Sequence, residues 1–242
     1  GRSRKIDWTP TNGLAYAMDI GDVTVKLMGS YGRATRPPEP IQRLEGRRVD
    51  AGFLPSHWVS NFANSQLRPE RSRGPQGGIE LYYGSRAMLT INHYNQVVSD
   101  LIQQVRIDSF PVVRIRDNTE MMIAQTQYRN TATVRQRGWE GTGSFSLRAL
   151  TLKGTYFWND SRVVSVNPTA SSGYKPGQIF TGVPTHAGSF TVTYAHAQTN
   201  VSLTTNFMGR VTTAGYGGPH AELLYYEPLF NRLPMYVSHR KA

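Results

Sequence analysis

Three segments of this chain alternate apolar and polar side chains with a strict period of two, and nothing constrains its fold more. Leu150, Leu152, Gly154, Tyr156 and Trp158 interleave with Thr151, Lys153, Thr155, Phe157 and Asn159. Phe190, Val192 and Tyr194 interleave with Ser189, Thr191 and Thr193. After the short link 195–200, Val201, Leu203, Thr205 and Phe207 interleave with Ser202, Thr204 and Asn206. Successive side chains of a strand point to opposite faces, so each segment is a strand with one apolar, aromatic-rich face and one polar face. A barrel with lipid outside and water inside requires that division.

The same alternation recurs upstream. Leu14, Tyr16, Met18 and Ile20 lead to a reversal at Gly21-Asp22, and Val23, Val25, Leu27, Gly29 and Tyr31 follow. Strand character returns at 79–83, reverses at Gly84-Ser85-Arg86 and resumes over 87–95. Thr131 to Leu147 turns at Arg148-Ala149 into the 150–159 strand, and the last clear hairpin is 186–209. Long irregular stretches intervene at about 32–76, 96–128 and 160–183, with a tail over 210–242. The first of them holds six of the fourteen prolines, and Val97 to Ile102 in the second suits a strand end or a short helix. Links therefore alternate short and long, and the strands have roughly the 9–11 residues needed to cross a bilayer at a tilt. Soluble sandwiches rarely place a long loop at every second connection. The expected fold is all-β, an antiparallel up-and-down transmembrane β-barrel. The rival is a soluble or surface-attached β-sandwich that binds carbohydrate or polyanion.

Composition fits strands that need only one greasy face: 38% of residues are hydrophobic, and Tyr numbers 13. No apolar run approaches the ~18 residues of a membrane helix. The absence of Cys excludes disulfides, thiolate metal sites and Cys nucleophiles. The six His are scattered without His-x-His or His-Glu-x-x-His spacing, and there is no Gly-x-Ser-x-Gly elbow or Walker loop. No catalytic residue, metal site or cofactor is expected, and the chain does not read as an enzyme. The net charge of +11 comes mostly from arginines placed between strands rather than in one basic stripe; composition leaves lipid headgroup phosphate, an acidic ligand and nucleic acid open as the anion. Planar guanidinium forks at that density suit phosphates or carboxylates.

Four segments resemble the barrel of TonB-dependent outer-membrane receptors. They are Tyr31-Gly32-Arg33-Ala34-Thr35-Arg36-Pro37-Pro38; Asn64-Ser65-Gln66-Leu67-Arg68-Pro69-Glu70 with the later Glu80; Tyr128-Arg129-Asn130 through Gly138-Trp139-Glu140; and Gly182-Val183-Pro184-Thr185-His186. Each is weak alone, but in this order and on this strand pattern they are specific. The resemblance runs from about Trp8 to Met208. It implies part of a 22-stranded barrel, about eight to ten strands, without the family's plug domain or closing strands. The opening Gly-Arg-Ser-Arg, with no initiating Met, agrees with such a slice. An open slice exposes two unpaired edges and a greasy face, so it is expected not to fold alone in water.

The resemblance further implies the outer membrane of a Gram-negative bacterium and uptake of a scarce ligand, a ferric siderophore or similar iron chelate. Energy would come from the TonB complex acting through the absent plug. Parity places Lys26, Glu80, Glu140, Lys153 and Asn159 in the lumen. Val25, Leu27, Leu81, Trp139, Leu150, Leu152, Tyr156, Trp158, Phe190, Val192, Tyr194 and Leu203 face lipid. Candidate ligand residues in the loops are Arg36, Arg43, Arg47, Arg48, His57, Trp58, Arg68, Arg71, Arg73 and Tyr174, since arginines with aromatics suit an anionic, partly planar ligand. Outer-membrane lipid and lipopolysaccharide are the other expected partners, with headgroup phosphates near Arg135 and Arg137, and the receptor reading expects no nucleic acid.

Overall fold

The computed structural model describes residues 8–170, 173–213, 224–226 and 235–239. In chain order these form β1 (Thr11–Ile20), β2 (Val23–Arg36), α1 (Pro40–Arg43), β3 (Gly46–Val49), β4 (Phe53–Leu54), β5 (His57–Phe62), β6 (Glu70–Tyr83), β7 (Ala87–Arg114), β8 (Thr119–Leu147), β9 (Leu150–Val166), β10 (His186–His196), β11 (Thr199–Met208), β12 (Val211–Thr213), β13 (Leu224–Tyr226) and β14 (Met235–His239). One sheet runs β1-β2-β6-β7-β8-β9-β10-β11-β14, each strand antiparallel to the next. It is an all-β meander and, among the described residues, it is not closed, as befits part of a barrel. Four reversals gather at one end of it. Two use glycine, Gly21 at φ +61° and Gly84 at φ +49°; Arg148 and Ala197 take the same left-handed region at +53° and +48°. That geometry costs a residue with a β-carbon roughly 1–2 kcal/mol.

The hydrogen-bond register fixes which side chains share a face. One row crosses the sheet through Leu14, Gly29, Gly77, His93, Trp139, Trp158 and His186. Two rows nearer the short turns lies Val25, Leu81, Leu89, Gly143, Gly154, Phe190 and Thr205. Below it, Phe145, Leu152, Val192 and Leu203 align, then Leu147, Leu150, Tyr194 and Val201. Leu27, Leu89, Trp139, Phe145, Leu147, Tyr156, Phe190, Tyr194 and Leu203 on this face are all exposed, and Leu14 on the edge strand is 81% exposed. A continuous apolar surface of that size marks contact with lipid or a partner.

The opposite face is polar and internally bonded. Lys26 pairs with Glu80 at 3.1 Å, and Tyr82 donates to the same carboxylate at 2.8 Å. Hydroxyl pairs cross the strands at Thr155–Ser189 (2.7 Å), Thr191–Thr204 (2.9 Å), Thr193–Ser202 (3.0 Å) and Ser146–Thr151 (3.2 Å). Tyr94 lies across Gly138, where a side chain would strike its ring and the Trp158 carbonyl, and donates to Asn159 at 3.1 Å.

The core lies at the end opposite the short turns rather than mid-sheet. Ala132, Val134 and Val163 are buried there, with Leu101, Val166, Tyr174 and Phe180 packed on them. A sandwich would bury the apolar face beneath a second sheet. Among the described residues the only other sheet is the two-stranded β12–β13 pair.

Strands reach further than the alternation suggested. β2 continues to Arg36 and β6 begins at Glu70, so the first irregular stretch is 37–69 and itself contains three short strands. β9 runs to Val166. Residues 96–128, mixed in the sequence, hold no helix: they are the outer part of the β7–β8 hairpin. Residues 101–114 stand beyond the last pairing of β7 with β6, about 45 Å of extended chain. Two causes hide this hairpin from a pattern search. Register shifts between Val98 and Leu101 and between Arg106 and Asp108 break the period of two, and the buried side chains, Val105 and Val112 with Phe110 against Trp58, are scattered rather than alternating. At its tip Asn118 takes φ +53°, and hydrogen bonds from Thr119, assisted by Arg114, hold the Asp117 carboxyl below its ordinary range. Most of 210–242 lies outside the described residues.

Candidate functional site

The segment 37–69 folds along one side of the β7–β8 hairpin and is fastened to it by backbone and side chains. Phe53 and Leu54 of β4 pair with Arg114 and Val113 of β7, β3 pairs with β5, and β5 runs parallel to β8 at Asn61–Thr126 and Phe62–Gln127. Successive β8 side chains donate to carbonyls along the segment: Gln125 to Val59 (3.1 Å), Thr126 to Ser60 (2.9 Å) and Gln127 to Ala63 (2.9 Å). Trp58 is the apolar anchor. It is buried, edge-on to Phe53 and Phe110 at 6.3 and 6.1 Å, and its ring is not offered to a ligand as the sequence suggested.

Asn130 joins three connections. Its Oδ1 accepts from the Arg68 backbone N–H (2.9 Å), and its Nδ2 donates to the carbonyls of Arg68 (2.9 Å) and Asp100 (2.7 Å). Its own carbonyl accepts from Asn167 Nδ2 at 3.1 Å. Arg68 adds an ion pair with Asp100 at 2.6 Å, and Asn64 Nδ2 donates to the Tyr128 carbonyl at 2.7 Å. Asn130→Ala leaves three backbone groups without their partner, a loss of about 1–3 kcal/mol for the site. The Arg68 amide is expected to exchange with solvent hydrogen roughly 10–100-fold faster in the variant. Unchanged protection there would show that Asn130 does not hold the segment.

Around this hub opens a cleft of 680 Å³, lined among others by Asn64, Gln66, Arg68, Gln127, Arg129 and Asn167. Arg129 donates to the Thr169 carbonyl (2.9 Å) and to Gln127 (2.8 Å), both neutral groups, so its charge is not offset by them. Arg68 is offset by Asp100. Two guanidinium groups among side-chain amides make a donor-rich hollow suited to oxygen-bearing anions.

The other loop candidates stand elsewhere. Arg36 pairs with Glu39 (2.8 Å) and Glu70 (3.5 Å), Arg43 donates to the Leu67 carbonyl (3.2 Å), and Arg47 pairs with Glu45 (2.7 Å). Arg48 sits 3.9 Å from Asp50 and 5.9 Å from the Trp58 ring centre, while His57 opens β5 opposite Val49. Tyr174 donates to or accepts from Thr181 at 2.6 Å and packs on Phe180. Arg71 and Arg73 share the sheet face of Val25 and Leu81. Of the ten, Arg68 alone lines the cleft among the described residues. Arg129, Asn130 and Asn167 were missed as site residues, although Tyr128-Arg129-Asn130 stood in one of the resembling segments.

The sequence matches the family model for the TonB dependent receptor-like β-barrel over residues 4–228. Among solved structures, the siderophore receptor PirA from Acinetobacter baumannii is similar with a TM-score of 0.60 at 15% identity, over 92% of this chain and 33% of that one. A mutant of the ferric enterobactin receptor PfeA from Pseudomonas aeruginosa gives 0.60 at 16% identity, over 92% and 31%. The copper transporter OprC gives 0.59 at 17% identity, over 92% and 30%. The chain thus spans about a third of the length of these structures, and identities so low speak for the fold alone. No curated protein matches the sequence.

Proposed function

Since the chain belongs to the TonB-dependent receptor β-barrel family, we propose that it forms part of the wall and the capture mouth of an outer-membrane receptor for a scarce anionic chelate of the ferric-siderophore type. The observation that carries this reading is the two-faced sheet. Among the described residues its apolar side is exposed and uncovered, while its other side is laced with an ion pair and hydroxyl pairs. Val25, Leu27, Leu81, Trp139, Leu150, Leu152, Tyr156, Trp158, Phe190, Val192, Tyr194 and Leu203 then meet lipid in the outer membrane of a Gram-negative cell. Lys26, Glu80, Glu140, Lys153 and Asn159 line the lumen, and the short turns lie on the periplasmic side. Transport would draw on the TonB complex through a plug domain, the arrangement the family implies. The receptors similar in fold carry different cargoes by name, a siderophore, ferric enterobactin and copper. The choice of an oxygen-rich anion therefore rests on the chemistry of the Arg68–Arg129 cleft.

The test is to titrate the purified full-length receptor with a ferric catecholate and with ferric citrate, following tryptophan quenching. Arg129→Gln removes one charged donor while keeping an amide in its place. It is expected to weaken binding of the accepted chelate roughly 10–100-fold, the worth of charge-assisted hydrogen bonds. Binding of neither chelate, or an affinity untouched by Arg129→Gln, would remove the cleft from the capture site.

A further inference from the structure

Among the described residues, Asp100 is the one non-glycine residue at positive φ that stands inside a strand. Asn118, Arg148 and Ala197 take that region at chain reversals, whereas Asp100, at φ +58°, interrupts β7 where its pairing to β8 shifts between Val98 and Leu101. A left-handed backbone in a residue with a side chain persists only where its surroundings hold it. Three bonds hold this one. Ser99 Oγ donates to the Arg71 carbonyl (3.3 Å), the Ile102 N–H donates to Glu70 (2.8 Å), and the Asp100 carbonyl accepts from Asn130 (2.7 Å).

The carboxylate set by this bulge meets Arg68, with Oδ1 2.6 Å from Nη2. The Asp100 side chain is 21% exposed and that of Arg68 66%, so a fixed anion faces a guanidinium with room to swing. The bond uses one nitrogen of the fork and leaves its other N–H donors for an occupant of the cleft. Arg129 bonds neutral oxygens, and no carboxylate lines the cleft among the described residues. The two guanidinium groups are therefore unequal: one is ready for an anion, and the other already holds one.

Resting on the reading of this cleft as the capture site, we propose that Asp100 is a built-in counter-ion that an incoming chelate displaces from Arg68. Arg129 takes a first anionic oxygen. Arg68 leaves Asp100 only for a second that binds it more strongly, by a bidentate contact or a higher charge. No covalent bond changes and no proton moves. A ligand with one anionic group or none gains nothing from Arg68, so the pair selects polyanionic chelates over neutral ones.

The test measures tryptophan quenching of the full-length receptor in non-ionic detergent by ferric citrate, a ferric tris-catecholate and an uncharged ferric tris-hydroxamate. Asp100→Asn keeps the carbonyl that Asn130 bonds and a residue that tolerates positive φ, while removing the competing charge. It is expected to tighten the accepted anionic chelate roughly 3–10-fold, where loss of a merely structural ion pair would weaken it. Its affinity should also fall more steeply with added sodium chloride, since the site gains one net positive charge. The hydroxamate is expected to show no gain. Asp117→Asn, which removes a carboxylate paired with Arg114 at the hairpin tip, controls for bulk charge and should leave all affinities unchanged. Heat-modifiable migration, the mark of a folded barrel, is checked in each variant. An unchanged or weaker anionic chelate in Asp100→Asn overturns the counter-ion role, as does an equal gain for the hydroxamate or in Asp117→Asn. Binding of neither anionic chelate by the wild type would instead defeat the capture reading itself.

Discussion

Leu89→Arg is expected to destabilise the folded receptor in vesicles by about 2–4 kcal/mol, the cost of a cation at the bilayer midplane. Leu89 is 41% exposed and lies in register with Leu81 on one side and Gly143 on the other. The Trp139 row and the Leu147 row bound the apolar band, some 26 Å apart along the strand, and Leu89 sits halfway between them. A soluble protein would register the same substitution as a surface change of a few tenths of a kcal/mol. The neighbouring Thr90→Arg provides the contrast. Thr90 lies opposite Glu80 and Thr142 on the polar face, so a cation there meets water and a carboxylate. Urea midpoints of the two variants against wild type decide the matter. Similar midpoints for Leu89→Arg and Thr90→Arg would sink the assignment of the faces to lipid and lumen.

Trp58→Ala should be the most damaging single change at the mouth, at about 3–5 kcal/mol of local stability. The ring fills the space between Phe53 and Phe110 and supports the Arg48 guanidinium, so its removal leaves a cavity where β4 and β5 dock on the hairpin. The wall does not depend on this contact. Limited proteolysis is therefore expected to cut within 37–69 in the variant while the barrel keeps its heat-modifiable migration. Equal resistance of that segment in variant and wild type would show that the hydrogen bonds from Gln125, Thr126 and Gln127 hold it without the aromatic anchor.

What the sequence disclosed follows the membrane's own demands. Where one face must be apolar and the other polar, as over 150–159 and 190–207, the alternation is strict and the turns at Gly21-Asp22 and Arg148-Ala149 punctuate it. Beyond the band that demand lapses. Residues 101–128 are covered along one side by 37–69, a segment distant in sequence, and the bulge at Asp100 shifts the parity, so a long hairpin reads as an irregular stretch. The cleft was hidden for another reason. Arg68, Arg129, Asn130 and Asn167 converge across about a hundred positions, through bonds that leave no periodic trace. Trp58 was misjudged on similar grounds: an aromatic in a proline-rich segment looks available until Phe110, far along the chain, is found against it.

The wall's connectivity has a consequence for how damage spreads. Among the described residues the backbone ladder of the wall joins each strand of the meander to its sheet neighbours, so perturbations several strands apart, at Leu27 and Leu203 for instance, share no ladder partners and should sum independently. The mouth breaks that rule, because β4 and β5 reach past β6 to fasten on β7 and β8. Energetic coupling between distant sequence positions is thus concentrated at one rim. Two segments that the chain keeps fifty or more residues apart inherit or lose their order together there, while the wall below them tolerates change one strand at a time.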